Sequence, residues 1–404
     1  MAEIVLPDAQ VNRDPDGGKI VLVVLDGLGG LPDPESGKTE LETARTPNLD
    51  ALAARSSLGM MDPVAPGITP GSGPGHLALF GYDPVRNLIG RGVLSALGIG
   101  FKLQMGDVAA RLNLASFDGA GNVTDRRAGR PSDEEGARVV EKVQSELSPV
   151  EGVEVFLQHA KEHRAVLILR GEGLGARLND TDPQETGVAP DALSPKDEES
   201  ERTAGIVRRI LDQAREILGD EETIQGFLAR GFARFEGFPS VTDRFGLHAA
   251  ALARYPMYRG VARLVGMEIP GVPESDEVML DLLEEAFGTH DFCFVHFKAP
   301  DARGEDGDFP ARVRAIEEID ALLPRITALE PDVLIATGDH STPAAYRAHS
   351  WHAVPVLLAS RWARPTASTF GEATCRVGDL GRFEARHLMS LALAHAGRLD
   401  KFGA

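Results

Sequence analysis

Apolar positions along the chain follow two patterns. Lys19 is followed by IVLVVL and then Asp26, an unbroken apolar run of the kind a strand shows when both its faces are buried in a parallel sheet. FCFVHF (292–297), DVLIAT (332–337) and VPVLLAS (354–360) repeat that pattern far downstream. Between them, ESDEVMLDLLEEAF (274–287) and FPARVRAIEEIDALLPRI (309–326) carry helical periodicity. Strand and helix alternating in this way predict a parallel sheet with helices on both faces. Nearer the start, TPNLDALAARSS (46–57) predicts an amphipathic helix with Thr46 as cap and Pro47 at its first position. PVAPGITPGSGPG (63–75) is a loop punctuated by Pro and Gly, and HLALFGY then resumes a helix-like run, so Ser72 falls at a loop-to-helix junction.

From about residue 98 to 240 the pattern changes. VAARLNLASFD, VEVFLQ and AVLILR read as strands, mixed with two helices that carry start signals. Ser132 and Glu135 form the capping-box pair of SDEEGARVVEKVQSEL, and Ser194-Pro195 is the expected start of the helix running through IVRRILDQAREIL. The expected organisation is a discontinuous α/β core, residues 1–97 and 241–404, interrupted by an α+β domain at 98–240.

Composition narrows the class. A chain of 404 residues with 43% hydrophobic content suits two units with substantial interiors. The net charge of −19 argues against a general nucleic-acid partner, although a locally positive cleft can still take a small anion. No apolar run approaches the roughly 20 residues of a membrane span, and MAEIVLPDAQVNRDPDGG lacks the basic-then-apolar pattern of a signal peptide. Cys293, inside FCFVHF, reads as a buried free thiol; with Cys375 the only other cysteine, a reducing cytoplasm is the expected compartment.

Ligands of open α/β sheets bind outside the carboxyl ends of the strands. Asp26, Asp301 and the pair Asp339-His340 all follow apolar runs there, and His349 precedes another. Any one of these is an ordinary turn residue, but together the carboxylates and imidazoles make a donor set for divalent metals. Ser72 supplies a candidate nucleophile, since a metal can remove the proton that a serine hydroxyl otherwise keeps at neutral pH. Its setting, PGSGPG, is not the G-x-S-x-G elbow. Ser36-Gly37-Lys38-Thr39 imitates the end of a phosphate-binding P-loop, but Pro32 stands where its first glycine belongs. A basic cluster, Asp125-Arg126-Arg127-Ala128-Gly129-Arg130, reads equally as a phosphate or carboxylate clamp and as an exposed turn.

These segments resemble the cofactor-independent (2,3-bisphosphoglycerate-independent) phosphoglycerate mutases of the archaeal type, in the alkaline phosphatase superfamily. The resemblance runs through LDGLGG, GKTELETARTPNLDALA, GITPGS, HLALFGYDP, GRGVLSALGIG, GDVAARLN, DRRAGR, NDTDP, DARGEDGD and GDHSTP, in the family's order. It implies a phosphatase-like core with two divalent metals, commonly manganese with zinc, cobalt or magnesium as alternatives, and no bisphosphoglycerate. The inserted domain would close over a small phosphorylated acid. By position Asp26, Ser72, Asp339 and His340 look like ligands of one metal, and Asp301 and His349 like ligands of the other. Ser72 would carry the phosphoryl group between the 3- and 2-oxygens of glycerate. Asp125, Arg126, Arg127 and Arg130 look like substrate contacts.

Three positions depart from the family pattern. Glu305 stands where a histidine ligand is usual; it can ligate as a carboxylate, with His352 as the alternative. Gly73 follows the nucleophile where an acidic residue is common. Arg259 replaces a lysine and can still bind phosphate, but not as a neutral proton acceptor. The mutase therefore leads two other readings: a metal-dependent phosphatase or mutase for another phosphorylated small acid, and a catalytically weakened metabolite-binding protein. A homo-oligomer stays open.

Overall fold

A computed structural model describes residues 10–14, 17–87, 89–150 and 152–403; the first nine residues of the polar leader lie outside the described set. The chain forms two compact units, one from Met1–Leu88 with Pro239–Ala404 and one from Ile89–Phe238.

In chain order the first unit opens with β1 (Ile20–Leu25), α1 (Glu40–Thr43), α2 (Pro47–Ala53), β2 (Ser56–Asp62) and α3 (Ser72–Leu79). The second unit holds α4 (Arg91–Gly98), β3 (Val108–Phe117), β4 (Val123–Asp125), α5 (Asp133–Glu146), β5 (Glu154–Lys161), β6 (Arg164–Arg170), α6 (Glu201–Ile217) and β7 (Gly226–Arg234). The chain then returns to the first unit with α7 (Val241–Phe245), β8 (Ala249–Ala253), α8 (Pro256–Leu264), α9 (Asp276–Phe287), β9 (Phe292–Phe297), α10 (Ala299–Asp306) and α11 (Phe309–Thr327). β10 (Val333–Thr337), β11 (Val354–Ser360), α12 (Glu372–Cys375), β12 (Gly381–Glu384) and α13 (Leu388–His395) complete it.

The first unit is a seven-stranded sheet in the order β12-β2-β11-β10-β1-β9-β8. β1 lies inside it, parallel to both neighbours, with Ile20 opposite Val333 on one side and Phe292 on the other. Every residue of β1 and β9 is buried, which is why both read as continuous apolar runs. One face packs on α9 and α11 through Leu280, Leu283, Ile316, Ile319 and Leu323. Each such side chain contributes on the order of 1.5–3 kcal/mol by leaving water. The second unit is a five-stranded antiparallel sheet, β4-β3-β6-β5 with β7 on the other side of β3, with its own core. No helix among the described residues is long and apolar enough to cross a membrane.

Four local expectations change. β11 runs antiparallel to β10, because the chain between them forms no crossover helix and so returns directly. The helix expected over 46–57 stops at Ala53, and Ser56–Asp62 is a buried strand paired with β11 and β12. Thr46 makes no side-chain cap there; instead Asp320 of α11 accepts from Leu49 N at 2.7 Å and Asn48 N at 3.2 Å. Ser132 does cap α5, accepting from Glu135 N at 3.2 Å, but the Glu135 carboxylate pairs with Arg138 rather than closing the box. Ser194-Pro195 precedes the helix without starting it: Asp197 accepts from Ser200 N at 3.0 Å, and α6 begins at Glu201. The false P-loop is also accounted for, since Thr39 forms a complete capping box with Glu42 at α1. Cys293 and Cys375 are both buried free thiols, each pushed up to about 12 by burial.

The loop that follows β1 is held by a buried guanidinium. Arg312 of α11 is fully buried; its Nη2 donates to the carbonyls of Gly27, Leu28 and Gly29 at 2.5, 2.9 and 3.0 Å. Its Nη1 lies 2.7 Å from Glu40 Oε2, and Glu40 Oε1 accepts from Ala344 N at 2.8 Å. One cation thus ties together the loops after β1 and β10. Arg312→Met leaves Glu40 buried without its cation and is expected to cost about 3–5 kcal/mol. A lower urea midpoint for the first unit checks this; an unchanged midpoint contradicts it.

Candidate functional site

The carboxyl ends of β1, β9 and β10 bring together Asp26, Asp301 and Asp339, all buried, with His340. Asp26 ends β1 and takes its place through a bond from its own N–H to Phe297 O, 2.9 Å. Gly27 then turns the chain in the left-handed region (φ 68°), which a side chain would resist, and its N–H donates to Asp339 Oδ1 at 3.2 Å. Ser72 is the first residue of α3, and its Oγ lies 3.2 Å from His340 Nε2. One turn on, a Cβ at Gly75 would meet Asp339 O at 2.4 Å, so only glycine lets α3 seat against the Asp339 backbone. The amides at the start of α3 favour an anionic group beside Ser72.

The three buried carboxylates are compensated unequally. Asp26 Oδ2 accepts from the Tyr258 hydroxyl in a short bond, with His296 Nε2 at 3.2 Å and Lys298 Nζ at 3.1 Å. Asp339 Oδ2 lies 3.1 Å from His76 Nδ1, and His76 Nδ1 lies 2.8 Å from Ser72 O. Asp26 Oδ1 and Asp339 Oδ2 nonetheless have no hydrogen-bond partner, and His340 Nε2 is 3.3 Å from each. Burial opposes ionisation of Asp26, but the His296 hydrogen bond and the Lys298 charge outweigh it and hold its carboxyl well below the usual range. Asp339 is likewise lowered: burial and the Asp26 charge oppose, His340 and His76 prevail. Burial and the charge of Asp26 push Tyr258 well up, so it stays a phenol and donates. These orphaned oxygens and one imidazole nitrogen, all three ligand atoms within 4.8 Å of one another, fit a divalent cation.

A second group adjoins the first. Asp301 and Glu305 stand one turn apart on α10, so both project from the same helix face. His349 Nε2 lies 3.6 Å from Asp301 Oδ1 and 3.7 Å from Glu305 Oε1, and its ring stacks on His340 at 3.7 Å. Asp301, His340 and His349 also bring ligand atoms within 4.8 Å of one another. Thr342 Oγ1 donates to Asp301 Oδ1 at 2.6 Å and so accepts from His340 Nδ1 at 2.9 Å, which leaves the His340 lone pair at Nε2. Glu305 sits at the exposed rim. His352 is engaged elsewhere, with Nδ1 3.0 Å from Ser350 Oγ and its ring against Trp351.

Lys298 joins the two groups. Its ammonium bonds Asp301 Oδ2 in a short contact and reaches Asp26 Oδ2 and Tyr258 Oη, the latter at 3.0 Å. Burial lowers its pKa, but the two carboxylates outweigh that and raise it, so it stays charged. Sequence reasoning missed Lys298, His76, His296, Tyr258 and Thr342. Spacing could have offered two of them: His76 follows Ser72 by one helical turn, and Lys298 precedes Asp301 by three residues. Tyr258 and His296 meet Asp26 only through the fold.

The remaining expected residues divide between the two units. Gly73 is buried at the second position of α3. Arg259 of α8 is buried and donates from Nη1 to Ala253 O at 3.1 Å and Arg254 O at 2.5 Å, while its Nε has no partner. Asp125 through Arg130 belong to the second unit. Asp125 accepts from the N–H groups of Arg127 and Gly129 and shapes the turn. Arg126 forms a bidentate pair with Asp182 at 2.7 and 2.9 Å. Arg127 and Arg130 are exposed, Arg130 in the left-handed region at φ 55°.

Comparison with known proteins finds close kin. A family model described as 2,3-bisphosphoglycerate-independent phosphoglycerate mutase matches residues 53–223. A probable 2,3-bisphosphoglycerate-independent phosphoglycerate mutase from Thermus thermophilus is 52% identical over 390 residues, 96% of each chain. One from Deinococcus radiodurans is 47% identical over 393 residues, again 96% of each. Among solved structures, a Pyrococcus horikoshii protein superposes with a TM-score of 0.82 at 29% identity, covering 96% of this chain and 100% of its own. A cofactor-independent phosphoglycerate mutase from Thermoplasma acidophilum gives 0.72 at 28% identity, covering 94% and 100%.

Proposed function

The chain belongs to the 2,3-bisphosphoglycerate-independent phosphoglycerate mutase family, and from that premise we propose that it interconverts 3-phosphoglycerate and 2-phosphoglycerate through a phosphoserine at Ser72. The observation that carries this reading is the arrangement of two buried carboxylate oxygens, Asp26 Oδ1 and Asp339 Oδ2, each 3.3 Å from His340 Nε2, with Ser72 Oγ 3.2 Å from that nitrogen. Asp26, Asp339, His340 and Ser72 would hold one divalent ion, and Asp301, His349 and Glu305 the other. When bound, such ions, manganese foremost, supply Lewis-acid charge that favours the serine alkoxide and neutralises the phosphoryl oxygens.

The protein's own groups do the rest. The Ser72 oxygen attacks phosphorus while the bond to the 3-oxygen breaks, and the proton given up by Ser72 balances that taken by the departing alcohol. The 2-hydroxyl then loses its proton, attacks the phosphoserine and frees the Ser72 oxygen, which is reprotonated. The α3 amides hold the phosphoryl group at its negative oxygens. Lys298, fixed between Asp26 and Asp301, would offset part of the negative charge those carboxylates gather. Asp125, Arg126, Arg127, Arg130 and Arg259 would be the residues that bind the substrate's carboxylate and phosphate. Retention of glycerate between the two transfers separates this reaction from hydrolysis. The complete donor set beside Ser72 favours catalysis over a binding-only relative.

Ser72→Ala is expected to lower turnover at least about 10³-fold while divalent metal binding persists, since only one hydroxyl is removed. Coupled enolase assays with isothermal titration of manganese check both halves; near-normal turnover would sink the nucleophile assignment. Glu305→His replaces a hard carboxylate beside His349 with an imidazole and should raise activity with cobalt relative to magnesium several-fold. Identical profiles across manganese, cobalt and magnesium would show that Glu305 is not a ligand.

A further inference from the structure

A separate group of ligand-type side chains stands at the opposite ends of the strands. β8 and β9 run parallel, with Ala249 in register with Phe292. His248 precedes β8, and His290 lies in the turn before β9. The six residues of β9 separate this edge from Asp301 by roughly 20 Å. Glu268 joins them through a backbone bridge, its N–H donating to Ala249 O and its carbonyl accepting from Ala251 N, both 2.8 Å.

Both imidazoles have their tautomer set by the main chain. His248 Nδ1 lies 3.0 Å from Thr289 O, and His290 Nδ1 lies 2.9 Å from Ala286 O. A carbonyl only accepts, so these contacts favour a hydrogen on each Nδ1, with Thr289 Oγ1 also 3.0 Å from His290 Nδ1, and each ring, when neutral, then presents its lone pair at Nε2. Those two nitrogens face one carboxylate: His248 Nε2 is 3.1 Å from Glu268 Oε1, and His290 Nε2 is 3.4 Å from Oε2. Two lone pairs and an anion facing one another demand positive charge. Protons meet that demand at both nitrogens only by making two imidazolium rings, stacked 4.2 Å apart and 14° from parallel. One divalent ion meets it for all three donors at once.

We propose that His248, Glu268 and His290 form a surface site for a divalent transition ion of the zinc class, with its remaining position open to water. Two imidazoles and a carboxylate are a zinc-type donor set, and the carbonyls behind each ring are the supporting contacts that such ligands use. All three ligand atoms lie within 4.8 Å of one another. His290 is buried and fixed, while His248 and Glu268 are exposed and free to tilt onto the ion. The bound ion ties the start of β8, the residue 268 bridge and the α9–β9 turn into one unit.

The test compares the full-length protein with its His248→Gln/Glu268→Gln variant, both stripped of metal and then supplied with zinc chloride. After gel filtration, the natural protein should retain one more zinc per chain by mass spectrometry and gain more in melting temperature from zinc. Manganese-supported turnover should be equal in the two. Because the readout is a difference between proteins sharing the Ser72 site, it stands apart from the number of ions that site takes. Equal zinc contents overturn the proposal, as does a stability difference that zinc does not alter. Should the double variant fold poorly, Glu268→Ala gives the same comparison at one exposed position.

Discussion

Carboxylates sealed at the ends of apolar strands are the constraint around which the first unit is arranged. Asp26 and Asp339 are 0% and 1% exposed, and moving an ionised carboxylate out of water costs several kcal/mol even after the protein relaxes. Tyr258, His296 and Lys298 compensate Asp26, and His76 with the Gly27 amide compensates Asp339. The compensation is incomplete on the side facing Ser72. A stability-driven core would pair both oxygens of each acid firmly; here Asp26 Oδ1 has no hydrogen-bond partner and Asp339 Oδ2 is met by His76 Nδ1 at 3.1 Å. A bound cation would satisfy both oxygens, which is how the proposed metal-assisted phosphoryl transfer would use them.

That arrangement depends on loops tied down by buried polar contacts. Arg312 collects the carbonyls of residues 27–29 and holds Glu40, which in turn holds Ala344. Gly75 brings the first turn of α3 onto the Asp339 backbone. Ser72, the His340 imidazole and both carboxylates are therefore held by packed elements, the condition under which the proposed electrostatic catalysis would gain most.

Much of this was legible in the residues, for physical reasons that can be named. β1, β9, β10 and β11 show as unbroken apolar runs because both their faces are buried, and the acids after the first three stand out by contrast. β2 hides because SSLGMMD is half polar by composition, and its serines are buried by pairing with β11 rather than by hydrophobicity. β8, written AAALA, carries no β-propensity and exists because β9 lies beside it. The direction of β11 follows from what the intervening loop lacks, a helix, more than from its own residues. The partners of Asp26 escape the sequence entirely, since Tyr258 and His296 are more than 200 positions away in the chain. The stacking of His349 on His340, which makes the two ligand groups adjoin, is equally invisible before folding.

The central claim is that this donor set moves phosphate within glycerate and does not merely hold or hydrolyse it. Phosphorus NMR of 3-phosphoglycerate with metal-free protein resupplied with manganese tests that directly. Growth of a 2-phosphoglycerate signal without added bisphosphoglycerate, and without accumulating inorganic phosphate, is the predicted result. Inorganic phosphate alone, or a spectrum that does not change, would contradict it.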